Sequence, residues 1–209
     1  MNCLSRIRLV CPVVLLTLAG CSGLHSHDPV VQTYVLQAGV AAIPVATSNG
    51  GEMPGDGAAT LAVSRPTAAS GLDTERIAVV RGDGRFDYYN ASRWAGNLPD
   101  VLQTLLIDTQ RAGGRWRAVL ADTSAFSADQ LLQVEVRQFQ AEYDAAGGPP
   151  SVHVVIEGTL GRRSLREVLR TLRAESRVTA SADRMAAVVA AFNAALADAL
   201  KQLSGEPAR

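Results

Sequence analysis

Hydrophobic residues recur every three or four positions in two stretches of the chain, a spacing typical of amphipathic helices. The first stretch predicts a helix that begins at Leu98, with Asn97 as its cap, and ends at the glycine pair 113–114. The second predicts a helix over residues 182–203, capped by Ser181 and stopped by the glycine and proline that follow it. We expect the apolar stripe of this second helix to pack on a sheet of its own domain rather than on a partner.

Short runs between turn-forming residues predict strands over residues 33–36, 60–64, 77–80, 86–89 and 116–120. A longer alternation of apolar and polar residues starts at Leu132 and changes phase near residues 137–138, which predicts a β-bulge. After a turn at residues 147–150 the alternation returns over residues 152–160, so these two strands form a hairpin. Residues 165–176 are ambiguous, because Leu165, Val168, Leu169 and Leu172 fit a helical stripe whereas Leu172, Ala174, Ser176 and Val178 fit an alternating pattern. We assign residues 168–178 to a strand. The order of elements predicts an α/β layer structure with a mixed sheet.

The first twenty residues have the features of a secretion signal, with Arg6 and Arg8 in a segment without acids, followed by about ten mainly apolar residues. Ten residues are too few to cross a hydrocarbon layer of about 30 Å as a helix, so we expect cleavage. The run Leu18-Ala19-Gly20-Cys21 resembles the lipobox of bacterial lipoproteins, in which the leader is removed before the cysteine. That resemblance implies that Cys21 carries acyl chains and anchors the protein to a membrane. A plain secretory signal with a chance cysteine is the alternative.

The remainder of the chain is expected to contain a polar tether (residues 21–31), one domain (residues 32–203) and a short tail (residues 204–209). Within the domain, residues 39–56 are rich in Ala, Gly, Ser and Pro without a sustained period, which predicts a loop. In enterobacterial lipoproteins an aspartate after the lipidated cysteine retains the protein in the inner membrane. By that resemblance, Ser22 implies transfer to the outer membrane.

Cysteine and charge content narrow the classes of function. Cys3, Cys11 and Cys21 all precede the expected domain, which excludes disulfides, thiol catalysis and thiolate metal sites within it. Twenty basic residues balance twenty acidic ones, so the positive excess typical of nucleic-acid binding is missing. We therefore expect no nucleic-acid partner.

Histidines and carboxylates form no recognisable catalytic or metal-binding pattern. His25 and His27 lie in the tether, and a zinc site needs three or four ligands. His153 lies alone in an alternating strand, where we expect it to be hydrogen-bonded rather than catalytic. We interpret the carboxylates that have a partner nearby in sequence as solvated surface acids: Glu135 with Glu142, and Asp122 with Asp129. No enzymatic activity, metal or cofactor is expected.

A cluster of arginines in the last third of the chain is the strongest local concentration of charge. Glu167 and Glu175 are interleaved with them, which favours a solvated edge strand. Lipid headgroups or an acidic partner surface are the alternative explanations. The arginines are Arg162, Arg163, Arg166, Arg170, Arg173 and Arg177.

Several short segments, in their order and spacing, carry a family resemblance over nearly the whole mature chain. The segments are Thr33-Tyr34-Val35-Leu36, Arg76-Ile77-Ala78-Val79, Phe86-Asp87-Tyr88-Tyr89, Ser92-Arg93-Trp94-Ala95, the strand over residues 132–139, and Val188-Val189-Ala190-Ala191-Phe192-Asn193-Ala194-Ala195. Together with the lipobox, they make the chain resemble the auxiliary lipoproteins of ABC-type lipid transport systems, the PqiC-like family associated with MCE-domain proteins.

This resemblance implies a fold similar to the anticodon-binding and TolB amino-terminal domains, a five-stranded mixed sheet with helices packed on it. It implies a non-enzymatic lipoprotein on the periplasmic face of the outer membrane. Such a protein contacts the MCE protein of a lipid transporter that is driven by a separate ATPase. Direct contact with phospholipid and assembly into a homo-oligomer are left open. The insertion over residues 40–59 is longer than the family pattern requires.

Two other classes of function compete with transport. The first is a structural or assembly lipoprotein that binds other envelope proteins in the manner of TolB-like domains. The second, a periplasmic hydrolase, is disfavoured because the candidate catalytic residues do not form a set.

Overall fold

Nine strands and two helices follow one another in the part of the chain that this computed structural model describes, residues 30–39 and 59–204. In chain order they are β1 (Gln32–Tyr34), β2 (Thr60–Val63), β3 (Thr67–Ala68), β4 (Arg76–Val80), β5 (Phe86–Trp94), α1 (Leu98–Ala112), β6 (Ala118–Ala121), β7 (Gln130–Glu142), β8 (Ser151–Arg162), β9 (Glu167–Thr179) and α2 (Met185–Leu203). The predicted helices and strands are present with shifted bounds, and the two-residue strand β3 was not predicted.

The alternation of buried and exposed residues along β7 changes phase once. Val134 and Val136 are buried, the pairing with β8 shifts between Val136 and Gln138, and beyond the shift Phe139 and Ala141 are buried. One extra residue inverts the alternation, so both halves of the strand face the same core. The predicted β-bulge is confirmed.

The chain reverses direction on both sides of β8. Before it, Gly147 (φ 82°) and Gly148 (φ 102°) adopt left-handed conformations that glycine takes without steric cost. After it, the chain turns at residues 163–166 and returns as β9 along the full length of β8. The predicted hairpin and the strand assigned to residues 168–178 are both confirmed.

β7 is the central strand of a nine-stranded mixed sheet. One of its edges pairs in parallel with β2, β3 and β4 in succession, and the other pairs antiparallel with β8. β6 lies beyond β2, β5 and then β1 lie beyond β4, and β9 forms the edge beyond β8. The α/β class with a mixed sheet is confirmed. The strand count exceeds the expected five because β7, with 13 residues, is long enough to pair with three short strands along one edge.

Both helices pack against the sheet and against each other, and they cover one face of it. α1 begins after Asn97 as predicted, although the Asn97 side chain makes no capping hydrogen bond. α2 begins after Arg184, so the cap predicted at Ser181 is wrong. The preceding segment is bent, and the Asp183 carboxylate accepts a hydrogen bond from the Tyr143 hydroxyl, a tertiary contact that holds this segment outside the helix.

Three aromatic side chains from different elements form the centre of the core. The Phe192 ring of α2 lies 5.1 Å from the rings of both Trp94 and Phe139, and Phe192 is fully buried. By length and composition α2 is apolar enough to cross a membrane, yet more than half of that stretch is buried inside the domain. The prediction that its apolar stripe packs on its own sheet is confirmed.

Candidate functional site

The face of the sheet opposite the helices carries a row of charged side chains across β7, β8 and β9. It includes close ion pairs between Arg177 and Glu142 (2.6 Å) and between Arg173 and Glu157 (2.8 Å). Each member lies within ion-pair distance of the next, in the order Glu135, Arg137, Glu157, Arg173, Glu175, His153, Glu142 and Arg177. We call this set the charge ladder. Its positive and negative charges largely compensate one another, so this part of the face has little net attraction for either anions or cations.

His153 lies near the middle of the charge ladder and is only 8% exposed. Its Nε2 lies 3.0 Å from Glu175 Oε1, and its Nδ1 lies 2.8 Å from Arg177 Nη2. A guanidinium nitrogen can only donate, so in the neutral ring Nδ1 accepts from Arg177 and Nε2–H donates to Glu175. The expectation of a hydrogen-bonded strand histidine is confirmed.

The carboxylates of the charge ladder differ in burial. Burial alone would raise the pKa of Glu142, but hydrogen bonds from Arg177 and Gln140 outweigh it and lower the pKa below its ordinary value of 4.5. The Glu142 side chain is 23% exposed, so interpreting it as a solvated surface acid is wrong. The interpretation holds better for Glu135, which is 44% exposed.

The other predicted acid pair, Asp122 and Asp129, makes separate contacts beside β2. The Asp129 carboxylate accepts a hydrogen bond from the backbone of Thr60 (2.8 Å) and lies 3.6 Å from Arg117. The backbone N–H of Asp122 donates to the carbonyl of Val63. Both residues therefore serve the junction of β2 with its neighbours, and the two carboxylates form no joint site.

The six clustered arginines fall into two groups. Arg173 and Arg177 belong to the charge ladder, and Arg162 lies 3.3 Å from Glu167. Arg163, Arg166 and Arg170 have no ion-pair partner within the described part of the chain. β9 is an exposed edge strand, as predicted, but its arginines are not uniformly compensated.

The β8–β9 hairpin extends beyond the helices at residues 161–170, which we call the hairpin tip. The arginines without an ion-pair partner lie there. Every residue from 162 to 170 is exposed, and alternating burial on β9 begins only at Leu172. Leu203, the last residue of α2, packs at Gly158, where an added Cβ would lie 3.4 Å from it. The tip therefore lies outside the cover of α2.

A groove of about 320 Å³ opens at the hairpin tip. Leu131 and Val168 supply apolar lining, and Arg162, Arg163 and Arg166 lie around it. The apolar residues over 165–172, which also fit a helical stripe, are the sequence feature that indicates this exposed surface. Because the segment is a turn followed by a strand and not a helix, Leu165 (64% exposed) and Val168 (62% exposed) share no buried face.

Several predicted features lie outside the described residues. They are the leader and lipobox with Cys21, the tether histidines His25 and His27, residues 40–58 of the insertion, and the helix stop at Gly205 and Pro207. Within residues 30–39 and 59–204, no group of three or more His, Cys, Asp and Glu side chains is arranged so that it could hold a metal ion.

Comparison with known proteins identifies the family. The model of the ABC-type transport auxiliary lipoprotein component matches residues 34–204, the whole domain from the end of β1 to the end of α2. The chain belongs to this family. This is a family of auxiliary lipoprotein components of ABC-type transport and not an enzyme family.

Individual relatives of this auxiliary lipoprotein agree with the family match. A protein of Bradyrhizobium diazoefficiens described as uncharacterized is 30% identical over 155 residues, which cover 70% of this chain and 39% of the relative. The chain thus spans about two fifths of that relative. The crystal structure of protein XCC0632 from Xanthomonas campestris is similar with a TM-score of 0.69 and 25% identity, covering 83% of this chain and 93% of that one. Another solved structure, described as an uncharacterized protein, has a TM-score of 0.58 at 16% identity, covers 70% of this chain and 90% of that one, and shows the fold alone.

Proposed function

We propose that this auxiliary lipoprotein is held by acyl chains on Cys21 at the periplasmic face of the outer membrane. There it docks the MCE protein of an ABC-type transporter, so that phospholipid passes between the two membranes. The observation that carries the proposal is the family match over residues 34–204, which begins shortly after the lipobox and tether. The described domain then acts as a binding module, and a separate ATPase supplies the energy.

The anchor is testable by intact mass spectrometry of the protein extracted from membranes. We expect a mature chain that starts at Cys21 and carries acyl chains, because several buried acyl chains hold a protein on a bilayer almost irreversibly. The Cys21→Ala variant should lose this mass and leave the outer-membrane fraction. Cys11→Ala is the matched control, since it removes a leader thiol and leaves acylation intact. An unmodified amino terminus at residue 21 contradicts the proposal.

The partner is testable by crosslinking in intact cells, extraction in mild detergent and identification of the captured proteins. We expect an MCE-domain protein, and its recovery should fall in the Cys21→Ala strain because the domain is no longer held at the membrane. The mass of the purified complex gives the number of copies of this chain. Capture of outer-membrane assembly proteins without an MCE protein would support the TolB-like alternative instead.

A further inference from the structure

The hairpin tip combines uncompensated positive charge with exposed apolar side chains. Arg163, Arg166 and Arg170 have no ion-pair partner among residues 30–39 and 59–204, whereas the arginines of the charge ladder are all engaged. Leu165 and Val168 are each more than 60% exposed. The charge ladder on the same strands has the opposite character, because its charges are paired with one another.

The same end of the sheet also bears an exposed aromatic side chain. Phe126 is 77% exposed and lies in the loop before β7. That loop is fastened to the hairpin turn, because the Arg163 backbone N–H donates to the Asp129 carbonyl at 3.1 Å. The apolar surface at this end therefore comes from two connected loops and is not confined to one side chain.

The backbone of the hairpin tip is constrained in a way that keeps these side chains outward. Arg166 has a φ of 53°, in the left-handed region that is costly for residues other than glycine. At Gly161 an added Cβ would lie 3.0 Å from the Glu167 carbonyl, so a side chain there requires a shift of the backbone at the irregularity in the pairing of β8 with β9. This irregularity places Val168 against the groove. An arginine is thus held at a strained position on the groove's rim.

We propose that the hairpin tip is a contact surface for anionic phospholipid. Arg163 and Arg166 flank the groove on one side of the hairpin and Arg170 lies on the other, near Leu203. A membrane approached tip-first meets guanidinium groups on both sides, which pair with lipid phosphates, while Leu165 and Phe126 enter the headgroup and acyl boundary. This inference goes beyond the docking of a transporter and does not depend on it.

Charge complementarity favours lipid over the other occupants. A second copy of this chain offers no free acidic surface in its ladder, since Glu135, Glu142, Glu157 and Glu175 are already paired with arginine or histidine. An acidic protein segment satisfies the arginines but leaves the exposed leucine, valine and phenylalanine in water. An anionic bilayer satisfies both kinds of side chain.

The experiment uses the full lipoprotein with Leu165→Trp and measures fluorescence quenching by brominated phospholipids. In one arm the protein is reconstituted into brominated vesicles. In the other it stays in neutral unbrominated vesicles and brominated vesicles are added, which tests a facing membrane. Both arms compare neutral lipid with about 30 mol% phosphatidylglycerol. Asp83→Trp is the matched control, because this exposed turn follows β4, which pairs with the opposite end of β7.

We expect quenching at residue 165, but not at residue 83, in at least one arm and only with anionic lipid. Replacing Arg163, Arg166 and Arg170 together by Gln should weaken vesicle binding by about 100-fold, since each arginine contributes roughly fivefold near an anionic surface. Binding should also weaken as the salt concentration rises. If Leu165→Trp lowers the unfolding temperature, Phe126→Trp is used in its place.

Four results would overturn the proposal. They are the absence of quenching in both arms, equal quenching with neutral lipid, an emission shift caused by polyglutamate without lipid, and a shift that depends only on protein concentration in neutral vesicles. The third would identify an acidic polypeptide as the occupant and the fourth a second copy of the chain. Acylation at Cys21 is checked separately by the intact mass, so a failure of quenching is distinct from a failure of acylation.

Discussion

Replacing Phe192 by alanine tests whether the aromatic cluster holds the helix layer on the sheet. Phe192 is 0% exposed and its ring lies 5.1 Å from those of Trp94 and Phe139. Truncating a buried phenylalanine costs about 3–5 kcal/mol, because apolar transfer energy is lost and a cavity remains. Aromatic pairs add roughly 0.5–1.5 kcal/mol. Since the two partner rings lie on different strands and cannot both collapse into the space, we expect a loss of about 4 kcal/mol.

The measurement is equilibrium unfolding in urea, followed by tryptophan fluorescence of the full chain. A domain of this kind has a total free energy of unfolding of about 5–15 kcal/mol, so the midpoint for Phe192→Ala should move far below that of the parent. Phe126→Ala removes the same atoms from a side chain that is 77% exposed, and it should change the free energy of unfolding by less than about 0.5 kcal/mol. Phe192→Leu keeps a large apolar side chain and should cost less than Phe192→Ala. Equal losses for the two alanine variants would refute the reasoning.

Two further predictions concern the charge ladder and a close backbone contact. Because the folded-state pKa of Glu142 is depressed, its stabilisation is present above 4.5 and is lost as the pH falls through the folded-state value. The urea midpoint should therefore fall more steeply in the parent than in Glu142→Gln when the pH is lowered from about 7 to about 3, and parallel curves would contradict this. At Gly82 an added Cβ would lie 2.9 Å from backbone in the loop after β7, so Gly82→Ala should cost about 1–3 kcal/mol in urea unfolding. Gly113→Ala, whose Cβ would meet its nearest atom at 3.6 Å, is the control and should be neutral or slightly stabilising.

Elements with a long periodic signal were predicted well because their side chains alternate between water and a single core. The bulge in β7 was visible as a change of phase at residues 137–138, and the register shift lies between Val136 and Gln138. The cap of α2 was mispredicted because Ser181 is a good capping residue locally, whereas a hydrogen bond from Tyr143 holds the neighbouring Asp183 outside the helix. β3 was missed because two residues in parallel pairing with β7 leave no periodic pattern.

The candidate site was only half predictable. The arginine cluster, the lone strand histidine and the apolar residues around residue 165 were all visible in the sequence. The sequence did not show that the arginines divide into a charge ladder with paired charges and a hairpin tip with unpaired ones. His153 meets Glu142 and Glu175, which are 11 and 22 positions away, because β7 and β9 flank β8 in a particular register.

Local pattern was therefore sufficient for the α/β class, most of the strands and both helices, since each depends on residues close together in the chain. Which arginines find a carboxylate, and which remain free at the end of a hairpin, depended on strand register and on where α2 stops. Electrostatic pairing acts over a few ångströms in space, and only the folded sheet sets those distances.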